Sequence, residues 1–318
     1  MQKKSVIILL TALCNFFIAT ANAESFTFAA LGDAPYGPDE TAGVNYRKLI
    51  GEINLIKPAF SIHVGDFKEG KAVCSDAEFA LQRKNFDLFS QALIYTPGDN
   101  DWTDCNRVSN GSYDPLSRLD KLRVLFFKPD QSLGQTPLAL VSQSIVMSAY
   151  SEFVENQRWQ QSHTLFATLH IVGSNNRFDP FDPRAQSELQ KRDQANIAWI
   201  NDAFKIAKEK NLGAIVFAFQ ADVFLKKLNN NNIDFDQGYE ATIKQTLLPE
   251  AAKFKKPILI IHGDSHTFKF DQKFSALDPA LENVYRLQVP GAKIIDAVLV
   301  TVDEKATPPF KVKMVRTP

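Results

Sequence analysis

Several features that would indicate a particular class of protein are missing from this sequence. Basic and acidic residues number 36 each, so the chain lacks both the basic surface of a nucleic-acid-binding protein and a polyacidic tail. No internal repeat of about 20–50 residues is present. After the N-terminal segment, no apolar run is long enough to span a membrane. The length and the 45% apolar content instead fit one large globular domain or two small ones.

Residues 1–23 are typical of a secretory signal peptide. Lys3 and Lys4 precede the apolar run Val6–Ile18, and the segment ends in the small residues Ala21 and Ala23. A membrane anchor is the alternative, but the run is short for a span and no second one follows. We therefore expect an exported protein, periplasmic or secreted, whose mature chain is the single domain 24–318 and carries no membrane anchor.

Cysteine is scarce, with three residues in the chain. Cys14 lies inside the predicted signal peptide, which leaves Cys74 and Cys105 in the mature chain. In an oxidising compartment this pair is expected to form a disulfide, which stabilises by about 3–4 kcal/mol in the loop-entropy model. Metal binding is the alternative, although the two cysteines lack a C-x-x-C arrangement.

Four apolar, strand-like segments each lead into a Gly-Asp pair. Asp after Gly is common turn chemistry, but four such endings predict strands whose carboxyl ends converge, with the carboxylates in one crevice. Four buried carboxylates would repel one another unless a cation neutralised them. The segments are Phe26–Leu31 before Asp33, Phe60–Val64 before Asp66, Ala92–Thr96 before Asp99, and Ile258–Ile261 before Asp264.

Helical and strand-like patterns alternate along most of the chain. Helices are predicted at Val44–Ile56, Asp76–Gln91, from the cap Asp114 to Phe126, at Gln194–Lys210, and at Tyr239–Phe254, where Pro249 should kink or split the helix. Further strands are predicted at Leu138–Met147, Leu165–Val172, Ala214–Phe219, and in an antiparallel extension made of Val284–Val289, Ala297–Val302 and Phe310–Val315. Asn229–Asn232 is predicted to be a loop. This order indicates a mixed α/β fold with a central β-sandwich of two mixed sheets flanked by helices.

The order of motifs over residues 26–270 resembles the calcineurin-like metallophosphoesterase superfamily. That family reads Asp-x-His, Gly-Asp, Gly-Asn-His-Asp/Glu, a lone His after a strand, and Gly-His-x-His. The counterparts in this chain are Gly32-Asp33-Ala34-Pro35, Gly65-Asp66, Gly98-Asp99-Asn100-Asp101, Gln220 and Gly263-Asp264-Ser265-His266. The resemblance implies a four-layer, metallophosphoesterase-like sandwich with the chemistry at the carboxyl ends of the strands.

Carried over position by position, the resemblance implies two divalent metal ions. Asp33, Asp66 and His266 would hold the first, and Asp66 would bridge to a second ion held by Asp99, Asp264 and Gln220. The catalytic positions correspond to Asn100, Asp101 and His266, with Asn100 as a hydrogen-bond donor to phosphate.

The chain departs from the family pattern at several ligand positions. Pro35 stands for a histidine ligand and Asn100 for the catalytic histidine; Asp99 replaces asparagine, and Gln220 and Asp264 replace histidines. Because carboxylates take the place of imidazoles, we expect Mg²⁺, Mn²⁺ or Ca²⁺ to be preferred over Zn²⁺. Losing the histidine at position 100 removes the usual proton donor to the leaving group, which favours esters with good leaving groups.

The resulting hypothesis is an exported, monomeric, metal-dependent phosphoesterase that hydrolyses a small phosphate ester by a two-metal mechanism. The alternative is an exported binding protein on the same fold, whose degenerate site holds one cation or none. His63 and His262 lie inside apolar strands and are interpreted as packed, hydrogen-bonded residues. Asn175, Asn176 and Arg177 could contact phosphate or cap a loop.

Overall fold

The computed structural model of the protein describes residues 25–223 and 235–318. The predicted signal peptide, 1–23, and the predicted Asn229–Asn232 loop lie outside these ranges, so both stay predictions. Within the described ranges, every helix is too short or too polar to cross a membrane.

Twelve strands in the described ranges form two mixed sheets. In chain order they are β1 (Phe26–Leu31), β2 (Phe60–His63), β3 (Ala92–Tyr95), β4 (Val141–Ser142), β5 (Gln157–Gln161), β6 (Thr164–Thr168), β7 (Ala214–Ala218), β8 (Ile258–His262), β9 (Lys269–Asp271), β10 (Val284–Gln288), β11 (Ala297–Val302) and β12 (Phe310–Val315). The first sheet has the order β12-β11-β1-β2-β3, and the second has the order β4-β5-β6-β7-β8-β10-β9. Strands β1 to β3 are parallel, as are β6, β7, β8 and β10.

The two sheets pack face to face, and helices cover both outer faces. Between the sheets, Phe60 stacks on Phe28 with ring centroids 5.3 Å apart and meets Phe166 of the opposite sheet edge-on at 5.0 Å. The outer face of the first sheet packs against Val44–Ile56, Asp76–Phe86 and Pro115–Phe126, and that of the second against Pro183–Glu209 and Leu248–Phe254. The expected sandwich of two mixed sheets flanked by helices is therefore confirmed.

Local capping signals located two helix starts correctly. The side chains of Ser75 and Asp114 each accept a hydrogen bond from the backbone amide three residues further on, which satisfies an amide that has no partner inside the helix. The helix that follows Ser75 ends at Phe86, five residues before the predicted end.

Other boundaries differ from the prediction. The predicted helix Gln194–Lys210 begins at Pro183, because Asp182 caps it and proline fits the first helical position. The predicted strand Leu138–Met147 contains only the two residues of β4 and then turns into a short helix, since buried Gln143 turns inward and donates Nε2 to the Ala195 carbonyl at 2.8 Å.

The C-terminal strands are divided between the two sheets. Strands β11 and β12 form an antiparallel pair beside β1, as expected. Strand β10 instead pairs parallel to β8 in the second sheet, so its predicted place in the antiparallel extension is wrong. The chain reaches this position through the crossover 263–283, which the sequence pattern did not indicate.

Candidate metal centre

Side chains that follow five parallel strands converge at one edge of the sandwich. The Asp264 amide, after β8, donates to both carboxylate oxygens of Asp33, after β1, at 3.1 and 3.0 Å. Gln220, after β7, donates Nε2 to Oδ2 of Asp66 at 3.2 Å and to Oδ1 of Asp99 at 3.1 Å. The two pairs are neighbours, because a Cβ on Gly173 would lie 2.8 Å from Oδ1 of Asp264 and 2.9 Å from Oδ2 of Asp99. The four strand-end carboxylates therefore form one cluster, although they are up to 231 residues apart in sequence.

The backbone at this edge is held in an unusual conformation. Asp33, Asp66 and Asp264 have φ angles of 50°, 57° and 73°, in the left-handed region that few non-glycine residues adopt. A Cβ on Gly98 would lie 2.0 Å from Oδ1 of Asp66, and one on Gly263 would lie 2.3 Å from Oδ2 of Asp33. The three aspartates thus turn the chain after their strands. Gly98 and Gly263, which lack a Cβ, leave room for the carboxylates of Asp66 and Asp33. Such strain is typical of functional sites.

Burial and mutual repulsion disfavour the charged forms of these carboxyl groups. Burial, followed by the charge of Asp264, raises the pKa of Asp33, and burial, followed by the charge of Asp99, raises the pKa of Asp66. Burial and the nearby Asp99 raise the pKa of Asp264 to about 7. The cluster therefore needs positive charge or hydrogen-bond donors close to its oxygens.

Hydrogen-bond donors are concentrated on Asp66 and Asp99. Tyr36 Oη donates to Oδ2 of Asp66 at 2.9 Å, and Asn100 Nδ2 donates to the same oxygen at 2.8 Å. The Asn100 amide donates to Oδ1 of Asp66 at 3.1 Å, and Ser174 Oγ donates to Oδ2 of Asp99 at 2.7 Å. Since Asn100 Nδ2 also contacts Tyr36 Oη at 2.7 Å, both of its hydrogens already have partners and neither is directed at a phosphate.

Asp101 turns away from this cluster. Its carboxylate accepts bonds from the backbone amides of Asp66, Phe67 and Gly98 at 2.8–3.0 Å and from Tyr95 Oη at 2.7 Å. The side chain is fully buried. Asp101 therefore joins the loops after β2 and β3 through these hydrogen bonds, and its predicted catalytic role stays a prediction.

His266 lies at the open side of the cluster. Its side chain is 39% exposed, and Nε2 is 3.8 Å from Oδ1 of Asp33. The ring meets the ring of Tyr36 edge-on, with centroids 5.3 Å apart. Partial burial lowers the pKa of His266, opposed by the charge of Asp99, so the neutral imidazole that can bind a metal predominates at pH 7.

Cys74 and Cys105 are bonded, with Cα atoms 5.7 Å apart, and both are completely buried. Both sulfur atoms lie within 3.9 Å of the Asn100 carbonyl oxygen. The disulfide therefore connects the loops after β2 and β3 directly beneath the cluster.

The segment from Ser174 to Arg177 is a left-handed turn that caps the second sheet. All four residues have φ between 50° and 60°. The side chains of Asn175 and Asn176 bond the backbone of Gly238, and buried Arg192 holds the Asn176 carbonyl at 2.9 Å. These asparagines therefore cap a loop, which was the alternative to phosphate binding.

The residues on the Asp33 side of the cluster fit a hard divalent cation by their chemistry. Asp33, Asp264 and His266 offer carboxylate oxygens and one imidazole, a set suited to Mg²⁺ or Mn²⁺. Asp66 and Asp99, on the other side of the cluster, already accept hydrogen bonds from amide and hydroxyl donors. This arrangement does not fit a second cation. Within the described ranges, no three His, Cys, Asp or Glu side chains lie close enough together to hold a metal ion, so Asp33, Asp264 and His266 would have to move closer to one another to bind one.

Sequence reasoning missed Tyr36 and Ser174. Tyr36 follows Asp33 by three residues, but it lies one residue beyond the Asp-x-His motif, in which Pro35 takes the place of the histidine. Ser174 comes directly after Gly173, yet a serine in a loop carries no signal of its own. Only the close approach of distant strand ends identifies both as donors to the cluster.

Comparison with known proteins identifies the fold. No protein-family model and no curated protein matches the sequence. A dimetal phosphatase from Danio rerio aligns with a TM-score of 0.51 at 9% identity, over 92% of this chain and 99% of the other. TT1561 of Thermus thermophilus aligns at 0.46 and 12% identity over 93% and 100%, and purple acid phosphatase PPD1 from yellow lupin at 0.42 and 9% over 92% and 54%. The chain has the calcineurin-like metallophosphoesterase fold, as the motif order predicted.

Proposed function

We propose that this protein is an exported, metal-dependent phosphoric ester hydrolase that acts on a small phosphate ester as a monomer. The observation that supports this most directly is the convergence of Asp33, Asp66, Asp99 and Asp264 from four strand ends. They lie at the edge where the parallel strands of both sheets end, on a fold that a dimetal phosphatase also has. At 9% identity, the likeness to the dimetal phosphatase supports the fold alone, so the proposed activity rests on the carboxylate cluster.

The residues on the open side would receive the substrate. Asp33, Asp264 and His266 would hold the cation, which would supply positive charge to the phosphoryl oxygens. Asp264 and His266 are partly exposed and Ser174 is exposed, whereas Asp33 and Asp66 are buried. A phosphate ester would therefore approach from the side of Ser174 and His266.

The site has few groups that could protonate a leaving group, which favours esters with good leaving groups. Asn100 carries no transferable proton, and the lowered pKa of His266 leaves little imidazolium at pH 7. Burial and the charge of Asp66 raise the pKa of Tyr36, so its hydroxyl keeps its proton as a donor to that carboxylate. Aryl phosphates, whose leaving groups need no protonation, should be hydrolysed faster than alkyl phosphates.

The test is an assay of the mature protein on aryl phosphomonoesters and phosphodiesters with Mn²⁺, Mg²⁺ or Ca²⁺. Asp33→Asn should abolish hydrolysis, and the matched control Asp120→Asn, on an exposed helix position, should leave it unchanged. Equal rates for wild type and Asp33→Asn with every metal would refute the proposal. N-terminal sequencing of the exported protein tests the cut after Ala23.

The alternative, an exported binding protein on this fold, is favoured by one observation. Donors from Tyr36, Asn100 and Gln220 already surround Asp66, so part of the site is stabilised without any metal. A chain that binds no metal and hydrolyses none of these esters would fit this second function.

A further inference from the structure

We propose that the side-chain amide of Gln220 takes the place of the second cation, so that the site binds one divalent ion per chain. This inference rests on the proposed metal-dependent function. It concerns the position between Asp66 and Asp99, where the resemblance to dimetal enzymes implied a second metal.

The orientation of the Gln220 amide is determined by its neighbours. The Gly173 amide donates to Oε1, and a backbone N–H can bond only the oxygen end of the side chain. Nε2 therefore faces the carboxylates, at 3.2 Å from Asp66 and 3.1 Å from Asp99. The amide nitrogen therefore donates to both carboxylates, and the side chain is completely buried.

The Asp66 carboxylate has no room for an additional bridging ion. Its Oδ2 receives donors from Tyr36, Asn100 and Gln220, whereas a carboxylate oxygen offers about two lone-pair directions. A Mg²⁺ ion would lie about 2.0–2.1 Å from its oxygen ligands, and so between Oδ2 of Asp66 and the Gln220 nitrogen that is 3.2 Å from it. The ion and the Gln220 amide therefore exclude each other.

The Asp99 carboxylate is occupied in the same way. Gln220 Nε2 bonds its Oδ1, and Ser174 Oγ bonds its Oδ2. By contrast, within the described ranges both oxygens of Asp33 accept bonds from one group, the Asp264 amide. The oxygens of Asp33, next to His266, therefore have fewer donors, and this is the position that we assign to the single cation.

The substitution Gln220→His tests the role of the amide directly. Imidazole is a metal ligand, and it lacks the NH₂ group with which glutamine donates to both carboxylates. We expect wild type to bind about one Mn²⁺ per chain and Gln220→His about two, since the second ligand set becomes available. The matched control is Gln190→His, which adds a histidine at an exposed helix position and should bind as wild type does.

The readout is Mn²⁺ counted by equilibrium dialysis with elemental analysis, together with the electron paramagnetic resonance spectrum. Wild type should give the spectrum of an isolated ion, and Gln220→His that of an exchange-coupled pair. Gln220→Glu is the second variant if the first does not fold, because its carboxylate also attracts a cation to the same position. Circular dichroism and thermal unfolding confirm that each variant is folded.

The outcomes separate this inference from the proposed function. Two ions in wild type overturn the inference and leave the metal-dependent function standing. No ion in wild type but one in Gln220→His supports the role of Gln220 and contradicts the cation at Asp33. No ion in either protein overturns both.

Discussion

Removing the disulfide between Cys74 and Cys105 should destabilise the protein strongly. The bond closes a sequence separation of 31 residues, which corresponds to about 4 kcal/mol at 25 °C in the loop-entropy model. Total stabilities of domains are about 5–15 kcal/mol, so the loss is a large fraction of the whole. The bond also lies beneath Asn100, so its loss should loosen the loops that carry Asp66 and Asp99.

The assay is urea unfolding at pH 7 of the mature wild type and of the double variant Cys74→Ala, Cys105→Ala, followed by tryptophan fluorescence. We expect the free energy of unfolding to fall by about 4 kcal/mol. A reductant should lower the stability of wild type toward that of the variant and leave the variant unchanged, which serves as the control.

Two results would contradict this reasoning. A difference below about 1 kcal/mol would mean that the bond does not constrain the unfolded chain as the loop-entropy model requires. Two free thiols in the exported, unreduced protein, found by mass spectrometry, would refute the bond itself.

Three further predictions follow from the structure. Glu155, fully buried against Arg123, has a pKa lowered from 4.5 to about 2. Its ionised form therefore stabilises the folded protein by about 3 kcal/mol above pH 4.5, and this contribution is lost as the pH falls toward 2. The loss of unfolding free energy caused by Glu155→Gln should accordingly shrink on acidification, and a loss that does not change with pH would contradict the pairing. Gly98→Ala should lower stability by about 1–3 kcal/mol because its Cβ would lie 2.0 Å from Oδ1 of Asp66. Gly51→Ala, at an exposed position of the helix Val44–Ile56 with open space around it, should instead raise stability by about 0.5–1 kcal/mol. A chelator should lower the melting temperature of metal-loaded wild type, and an unchanged value would argue against a bound cation.

Local patterns in the sequence were sufficient to predict much of the sandwich. Runs of apolar residues that end in Gly-Asp located β1, β2, β3 and β8, because a strand buried on both faces has a continuous apolar sequence. The helix starts after Ser75 and Asp114 were predictable because capping involves only neighbouring residues. The position of β10 was not, since its alternation is compatible with either sheet.

At the site, the sequence by itself determined which side chains lie at the carboxyl ends of the strands, because each follows its strand directly. The directions of those side chains, and their partners, depended on tertiary structure. Asp101 is adjacent to Asn100 yet binds backbone amides, and Gln220 presents its nitrogen to the carboxylates because Gly173, 47 residues away, holds its oxygen. Hydrogen bonds between residues so distant in the chain form only once both sheets have packed, and no local pattern encodes them.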